Sequence, residues 1–163
     1  MKQGIKSIEK LYEELIRQRE ARQDLSADTS LLTFNSIKGN SVINVNTDND
    51  VLSYYVSDIA HRQLADYLSI PYRYYDRMRF EQPELLDNNI NCWLNANPQK
   101  RMLRTLDGKL RAFLSDRYRR LDNLELLHHI LPVITQMKGC EVISQDITET
   151  HLYLKVINKT LKA

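Results

Sequence analysis

Apolar residues recur every three or four positions near the start of the chain. Ile8, Leu11, Tyr12 and Leu15 line one side of a helix predicted over residues 5–22. Its later half, Arg17 to Asp24, is polar on nearly every side, so only part of the helix has a face to bury. That face suits docking on its own chain or pairing with another. Short apolar runs follow. Leu31 to Ile37, Val42 to Val45 and Val51 to Val56 read as strands, with turns at Gly39-Asn40 and Asp48-Asn49-Asp50 between them. From Ser57 to Asn95 the helical period returns. Ser57 or Asp58 supplies an N-cap, and Pro71 and Pro83 divide the stretch into about three helices, because proline suits a first helical turn but not an interior.

Beyond these helices the pattern predicts a β-hairpin around Asp107-Gly108. A helix follows from Asp122 through Leu124, Leu127, His128, Leu131 and Ile134, interrupted by Pro132. A second hairpin, Glu141 to Ile147 and His151 to Ile157, ends the pattern. On its last strand Leu152, Leu154 and Val156 share one side, and His151, Tyr153 and Lys155 the other. Strands and helices come in blocks rather than in alternation, which predicts an α+β fold: an antiparallel sheet with packed helices. The expected organisation is an N-terminal amphipathic helix, residues 1–26, appended to one α+β domain, residues 27–163. Its expected core includes Trp93, Leu94, Leu103, Leu114, Leu127, Leu131, Ile143 and Leu154.

The central hairpin concentrates the candidate chemistry. Asp-Gly between two β-compatible runs is a strong signal for a two-residue turn. With that turn Leu106 faces Lys109, and Thr105/Leu110, Arg104/Arg111, Leu103/Ala112 and Met102/Phe113 follow outward. One face then holds Leu103, Thr105, Leu110, Ala112 and Leu114 for a core. The other holds Arg104, Lys109 and Arg111 beside Met102, Leu106 and Phe113. Two opposed arginines repel, so something anionic is expected over them. A nucleic-acid backbone with stacked bases meets that need, and so do carboxylates from elsewhere in the chain. Arg117, Tyr118, Arg119 and Arg120 extend the basic, aromatic stretch.

Composition narrows the classes. The chain has 163 residues, 42% hydrophobic and 27% charged, which is enough to bury a real core. A net charge of +2 excludes a polycationic tail but not a local basic surface, and the positive charge clusters in Arg73 to Arg79 and Lys100 to Arg120. The two cysteines, Cys92 and Cys140, have no metal or redox spacing and are expected to be buried and reduced. The first residues lack an apolar signal segment, and no run approaches the roughly 18 apolar residues of a membrane span. A cytoplasmic location without a membrane partner is the expectation.

Known catalytic spacings are missing. The histidines, His61, His128, His129 and His151, form no His-x-x-x-His pair, so no metal ligand set is assigned. Ile37-Lys38-Gly39-Asn40 lacks the second glycine and the Lys-Ser/Thr pair of a phosphate loop, and no Gly-x-Ser-x-Gly elbow occurs. Asp107, Asp116, Asp146 and Glu149 with Lys155 make a magnesium-dependent nuclease centre only if the fold gathers them. No catalytic residue is assigned and no cofactor is implied. His61 to Met78 has the outline of a helix-turn-helix, with Ala65 at the close approach and Ser69 in the turn. Any helical hairpin shares that outline, so the preferred reading is a structural hairpin whose Tyr/Arg face supports a binding surface.

Several motifs occur in a shared order: His61-Arg62-Gln63-Leu64-Ala65, Ile70-Pro71, Tyr74-Tyr75-Asp76-Arg77-Met78, Pro83-Glu84-Leu85-Leu86 and Asn91-Cys92-Trp93-Leu94. They continue with Arg104 to Gly108, Arg111 to Arg119, Asp122-Asn123, Thr148-Glu149-Thr150 and Leu152 to Lys155. In this order the chain resembles the phage/plasmid-like proteins grouped as a family of unknown function. Members are usually longer, so the chain resembles the N-terminal half of such a protein. The resemblance implies a mobile-element origin and supplies no activity or site residue.

Together these features predict a non-enzymatic nucleic-acid-binding domain that contacts single strands or backbone. Arg104, Lys109, Arg111, Arg117, Arg119 and Arg120 are the expected phosphate contacts, and Phe113 and Tyr118 the stacking groups. The alternative is a protein-interaction module with a host or phage partner, using the N-terminal helix and the surface of Tyr72, Arg73, Tyr75 and Arg77. A metal-dependent nuclease is a minority reading. A second copy of the chain is a further candidate partner, through the N-terminal helix or an exposed sheet edge.

Overall fold

A computed structural model describes residues 7–37, 40–119, 121–148 and 151–160. The chain divides into two compact units, one of residues 22–118 and one that joins the chain up to residue 21 with the chain from 119 onward. The expected boundary at residues 26 and 27 is therefore replaced by a discontinuous one. Its cause is apolar packing: Leu11 and Leu15 of helix α1 (Ile8–Ala21) are buried with Leu124 and Leu127. Of the two uses this face suits, docking on its own chain is the one seen.

The larger unit begins with strand β1 (Leu25–Asp28), a 3₁₀ turn (Thr29–Leu31), and strands β2 (Leu32–Ile37), β3 (Asn40–Asn46) and β4 (Val51–Val56). Helices α2 (Asp58–Tyr67), α3 (Tyr72–Glu81) and α4 (Pro83–Ala96) follow, then β5 (Lys100–Leu106) and β6 (Lys109–Ser115). The six strands form one sheet in the order β1-β5-β6-β4-β3-β2. All neighbours are antiparallel except β4 and β6, which run parallel through Tyr55↔Lys109 and Val56↔Leu110. The fold is α+β, as the blocks of strand and helix predict.

Local chemistry sets the helix ends. Ser57 caps α2 by accepting the Ala60 N–H. Pro83 opens α4 at its first position, and Pro71 precedes α3. Helix α2 lies over β6 and α4 over β2, while α3 packs mainly on the two helices. On α4, Leu86, Ile90 and Leu94 repeat every four residues and enter the core with Phe34, Ile43 and Leu103. Trp93 is one residue out of phase, about 100° around the helix, and is 51% exposed, so its place in the expected core is corrected. Cys92 is also exposed on α4, contrary to expectation, and both cysteines are free.

Strand β2 is a sheet edge, and α4 closes it. The Asn91 side chain accepts from the Phe34 N–H (2.7 Å) and donates to the Phe34 carbonyl (2.8 Å), imitating a neighbouring strand. Asp87 accepts from the Ser36 N–H and hydroxyl, both at 2.8 Å. Covering an edge in this way removes a template for pairing with another chain.

The smaller unit packs α1, α5 (Asn123–Gln136) and the antiparallel hairpin of β7 (Cys140–Ile147) and β8 (Leu152–Asn158) around Leu11, Leu15, Leu124 and Leu127. Helix α5 runs through Pro132 instead of being interrupted there. Pro132 and His128 both lie on the exposed side, where the carbonyl that proline cannot bond is near solvent. Leu131 and Leu154 are half-buried against this cluster, whereas Ile143 stands at a bulge in β7 and is exposed. Among the described residues no helix is long and apolar enough to cross a membrane.

Candidate nucleic-acid interface

The central hairpin forms as the dipeptide predicts. Asp107 and Gly108 both have positive φ, 50° and 71°, the requirement of a type I′ turn. Leu106↔Lys109 and Thr105↔Leu110 pair in the expected register, and then a bulge intervenes. Beyond it Arg104 faces Ala112, Leu103 faces Phe113 and Met102 faces Leu114. The expected opposition of Arg104 and Arg111 is therefore corrected.

The extra residue changes which side chains face out. Leu110 and Phe113 are both buried on the helix-covered side, so Arg111 and Ala112 between them both turn to the opposite side. Re-aiming a side chain in this way is a common consequence of a bulge. Phe113, 1% exposed, is not a stacking group. It lies in the core with Tyr67 (ring centroids 5.4 Å apart), and the Arg101 guanidinium sits over both rings, 4.2 Å from Tyr67 and 5.2 Å from Phe113.

Arg104 is held from within the chain. Its Nε donates to Asp24 Oδ2 at 3.2 Å, and Asp24 is almost fully buried. Asp24 also accepts the Thr105 N–H at 3.1 Å and lies 3.5 Å from Arg22 Nε. The carboxylate expected as one of two possible counter-charges is this one.

On the side of the sheet away from α2 and α4, Asn35, Val42, Tyr55, Lys109 and Leu106 form one cross-strand row through β2, β3, β4, β6 and β5, in which Val42 is buried. Tyr55 is 55% exposed and Lys109 is exposed beside it; Arg111 is half-buried, two residues along β6. A second row holds Thr33, Asn44 and Ser53, where the Ser53 hydroxyl donates to Asn44 at 2.7 Å. This side therefore offers the exposed Tyr55 ring, the exposed Lys109 and neutral polar groups, with the half-buried Arg111 near them. Sequence reading missed Tyr55. The signal was present: Tyr54 and Tyr55 are adjacent on a strand, so one of them must face out.

Arg117 and Tyr118 are exposed just past β6 in the larger unit. Arg119 is exposed and belongs to the smaller unit, and Arg120 lies outside the described residues. On α3, Arg73 and Arg77 are exposed, Arg77 in an ion pair with Glu81 at 2.8 Å. Tyr72 is half-buried under Arg62, whose guanidinium lies 4.3 Å from the ring centroid. Tyr75 is fully buried and cannot serve as a surface residue; it shares a 2.8 Å hydrogen bond with His61 Nδ1. Burial pushes the Tyr75 hydroxyl well above its usual range. His61 is lowered to about 3, chiefly by burial, with Arg79 acting in the same direction and Asp58 against it. Its ring is neutral in the fold.

Among the described residues no three His, Cys, Asp or Glu side chains gather into a metal-binding group. Asp107 serves the hairpin turn and Glu149 lies outside the described residues. Comparison with protein-family models, curated proteins and solved structures finds no match.

Proposed function

We propose that the larger unit is a non-enzymatic nucleic-acid-binding domain that receives a single strand at the exposed Tyr55 and Lys109, on the side of its sheet away from α2 and α4. The observation that carries this reading is the Tyr55–Lys109 pair, with Arg111 turned to the same side by the bulge. An exposed ring stacks on a base of any identity, and cations beside it track the phosphates. Arg117 and Tyr118, just beyond the strand, extend the same chemistry. The phage/plasmid resemblance is compatible with such a role and is proposed as the origin of the chain.

Fluorescence anisotropy with a labelled single-stranded oligonucleotide tests the reading. Tyr55→Ala should weaken binding by about 1–3 kcal/mol, the worth of one base stacked on an aromatic ring. Tyr55→Phe should retain it. Equal affinities for all three proteins contradict the assignment.

A second reading, a protein-interaction module, draws support from the exposed aromatics Trp93 and Phe80, the latter 71% exposed. A stoichiometric protein that co-purifies and survives high salt favours it; nuclease-sensitive absorbance at 260 nm favours the first.

A further inference from the structure

Helices α2 and α3 are joined by a defined turn and tied by side-chain contacts. Helix α2 ends in a left-handed residue, Ser69 (φ 56°), and the backbone closes around it. The Ile70 N–H donates to the Ala65 carbonyl at 2.9 Å and the Ser69 N–H to the Asp66 carbonyl at 3.2 Å, the two bonds of a Schellman motif. Pro71 then starts α3, accepting from the Tyr74 and Tyr75 N–H groups. The connection is therefore a short, fixed turn. Ala65 is fully buried beside Leu64, Tyr75 and Met78.

Three side-chain ties fix α3 against α2. His61 bonds Tyr75 at 2.8 Å, Arg79 pairs with Asp58 at 2.9 Å, and Arg62 covers the Tyr72 ring. Helix α4 also packs on α3. Opposite these contacts α3 presents Arg73, Tyr74, Arg77 and Phe80, all exposed, and Arg62 of α2 is exposed nearby. An α-helix with side chains is about 10–12 Å across, which fits the roughly 12 Å major groove of duplex DNA.

We propose that α2 and α3 form a helix-turn-helix that seats the exposed side of α3 in the major groove of duplex DNA. Arg73, in the first turn of α3, faces a base edge, as the N-terminal residues of a recognition helix do. Arg62 and Arg77 face phosphates. The exposed Arg77–Glu81 pair is no barrier, because a solvated ion pair is weak and guanidinium has five donors. This surface is separate from the Tyr55–Lys109 side of the sheet, so the two proposals stand or fall apart.

The test is selection from a random duplex library with the full chain, followed by anisotropy on the enriched sequence and a scrambled control. The expected result is an enriched motif bound at least tenfold more tightly than the control. Arg73→Ala should cut that preference about tenfold or more, the discrimination given by one bidentate base contact. Circular dichroism should stay native, since Arg73 is exposed. Lys109→Ala/Arg111→Ala should leave the duplex preference intact, and Arg73→Ala should leave single-strand affinity intact. No enriched sequence, or equal duplex affinity of Arg73→Ala and the parent, overturns the proposal. So does a stoichiometric protein captured through the α3 surface without duplex selection.

Discussion

Arg104→Ala separates structural from binding arginines on the central hairpin. Asp24 is 3% exposed in its side chain and accepts from Arg104 and from the Thr105 N–H, at 3.2 and 3.1 Å. Breaking a buried ion pair costs about 3–5 kcal/mol, and losing one charged hydrogen bond about 1.5–3 kcal/mol. The lower range applies, because the Arg104 side chain is 22% exposed and Arg22 stays 3.5 Å from the carboxylate. We expect a loss of about 2 kcal/mol. With a urea m-value of about 1–3 kcal/mol/M, the midpoint falls by roughly 1 M. Trp93, the only tryptophan, lies in the same unit, so its fluorescence together with circular dichroism follows the relevant transition. Single-strand affinity measured well below the midpoint should hardly change. An unchanged midpoint with a tenfold weaker affinity refutes the assignment of Arg104 to structure.

Three further outcomes follow from local geometry. His61 in the unfolded chain takes up a proton near pH 6.5, but in the fold only near pH 3, so stability falls as pH drops between these values. The expected contribution is up to about 1.4 kcal/mol per pH unit; His61→Gln should show a shallower loss of urea midpoint from pH 7 to 4, and identical slopes would refute the buried neutral ring. Asp87→Ala/Asn91→Ala removes the side chains that cover β2, so light scattering should show concentration-dependent association; a strict monomer of native fold argues that the edge is protected otherwise. Ser69→Gly relieves a left-handed serine and should raise stability by about 0.5–1 kcal/mol, while Ser69→Val should lower it, both read from thermal midpoints.

Local signals were readable where one residue determines the backbone. Asp107-Gly108 specified its turn, Ser57 its cap, and Pro71 and Pro83 the helix divisions. Side-chain direction was less readable. The alternating pattern of β6 hides the bulge at Arg111, and that one inserted residue buries Phe113 and removes the arginine opposition. Leu110 and Phe113, three residues apart, cannot share a face of a regular strand, and their shared burial is the trace the bulge leaves. In α3, with three tyrosines close together, the buried one is set by phase with Met78 and by the polar link to His61. Strand β1, Leu-Ser-Ala-Asp, has no pattern of its own and depends on pairing with β5. Long-range packing placed α1 with α5, which no local signal encodes.

The salt dependence of single-strand binding tests the central claim most directly. Each phosphate neutralised on a single strand contributes about −0.7 to the slope of log affinity against log salt. Removing Lys109 should therefore make the slope shallower by about 0.7, while Tyr55→Ala lowers affinity without changing the slope. A slope that is flat for the parent protein, or the same in Lys109→Ala, contradicts an interface built on Tyr55 and Lys109.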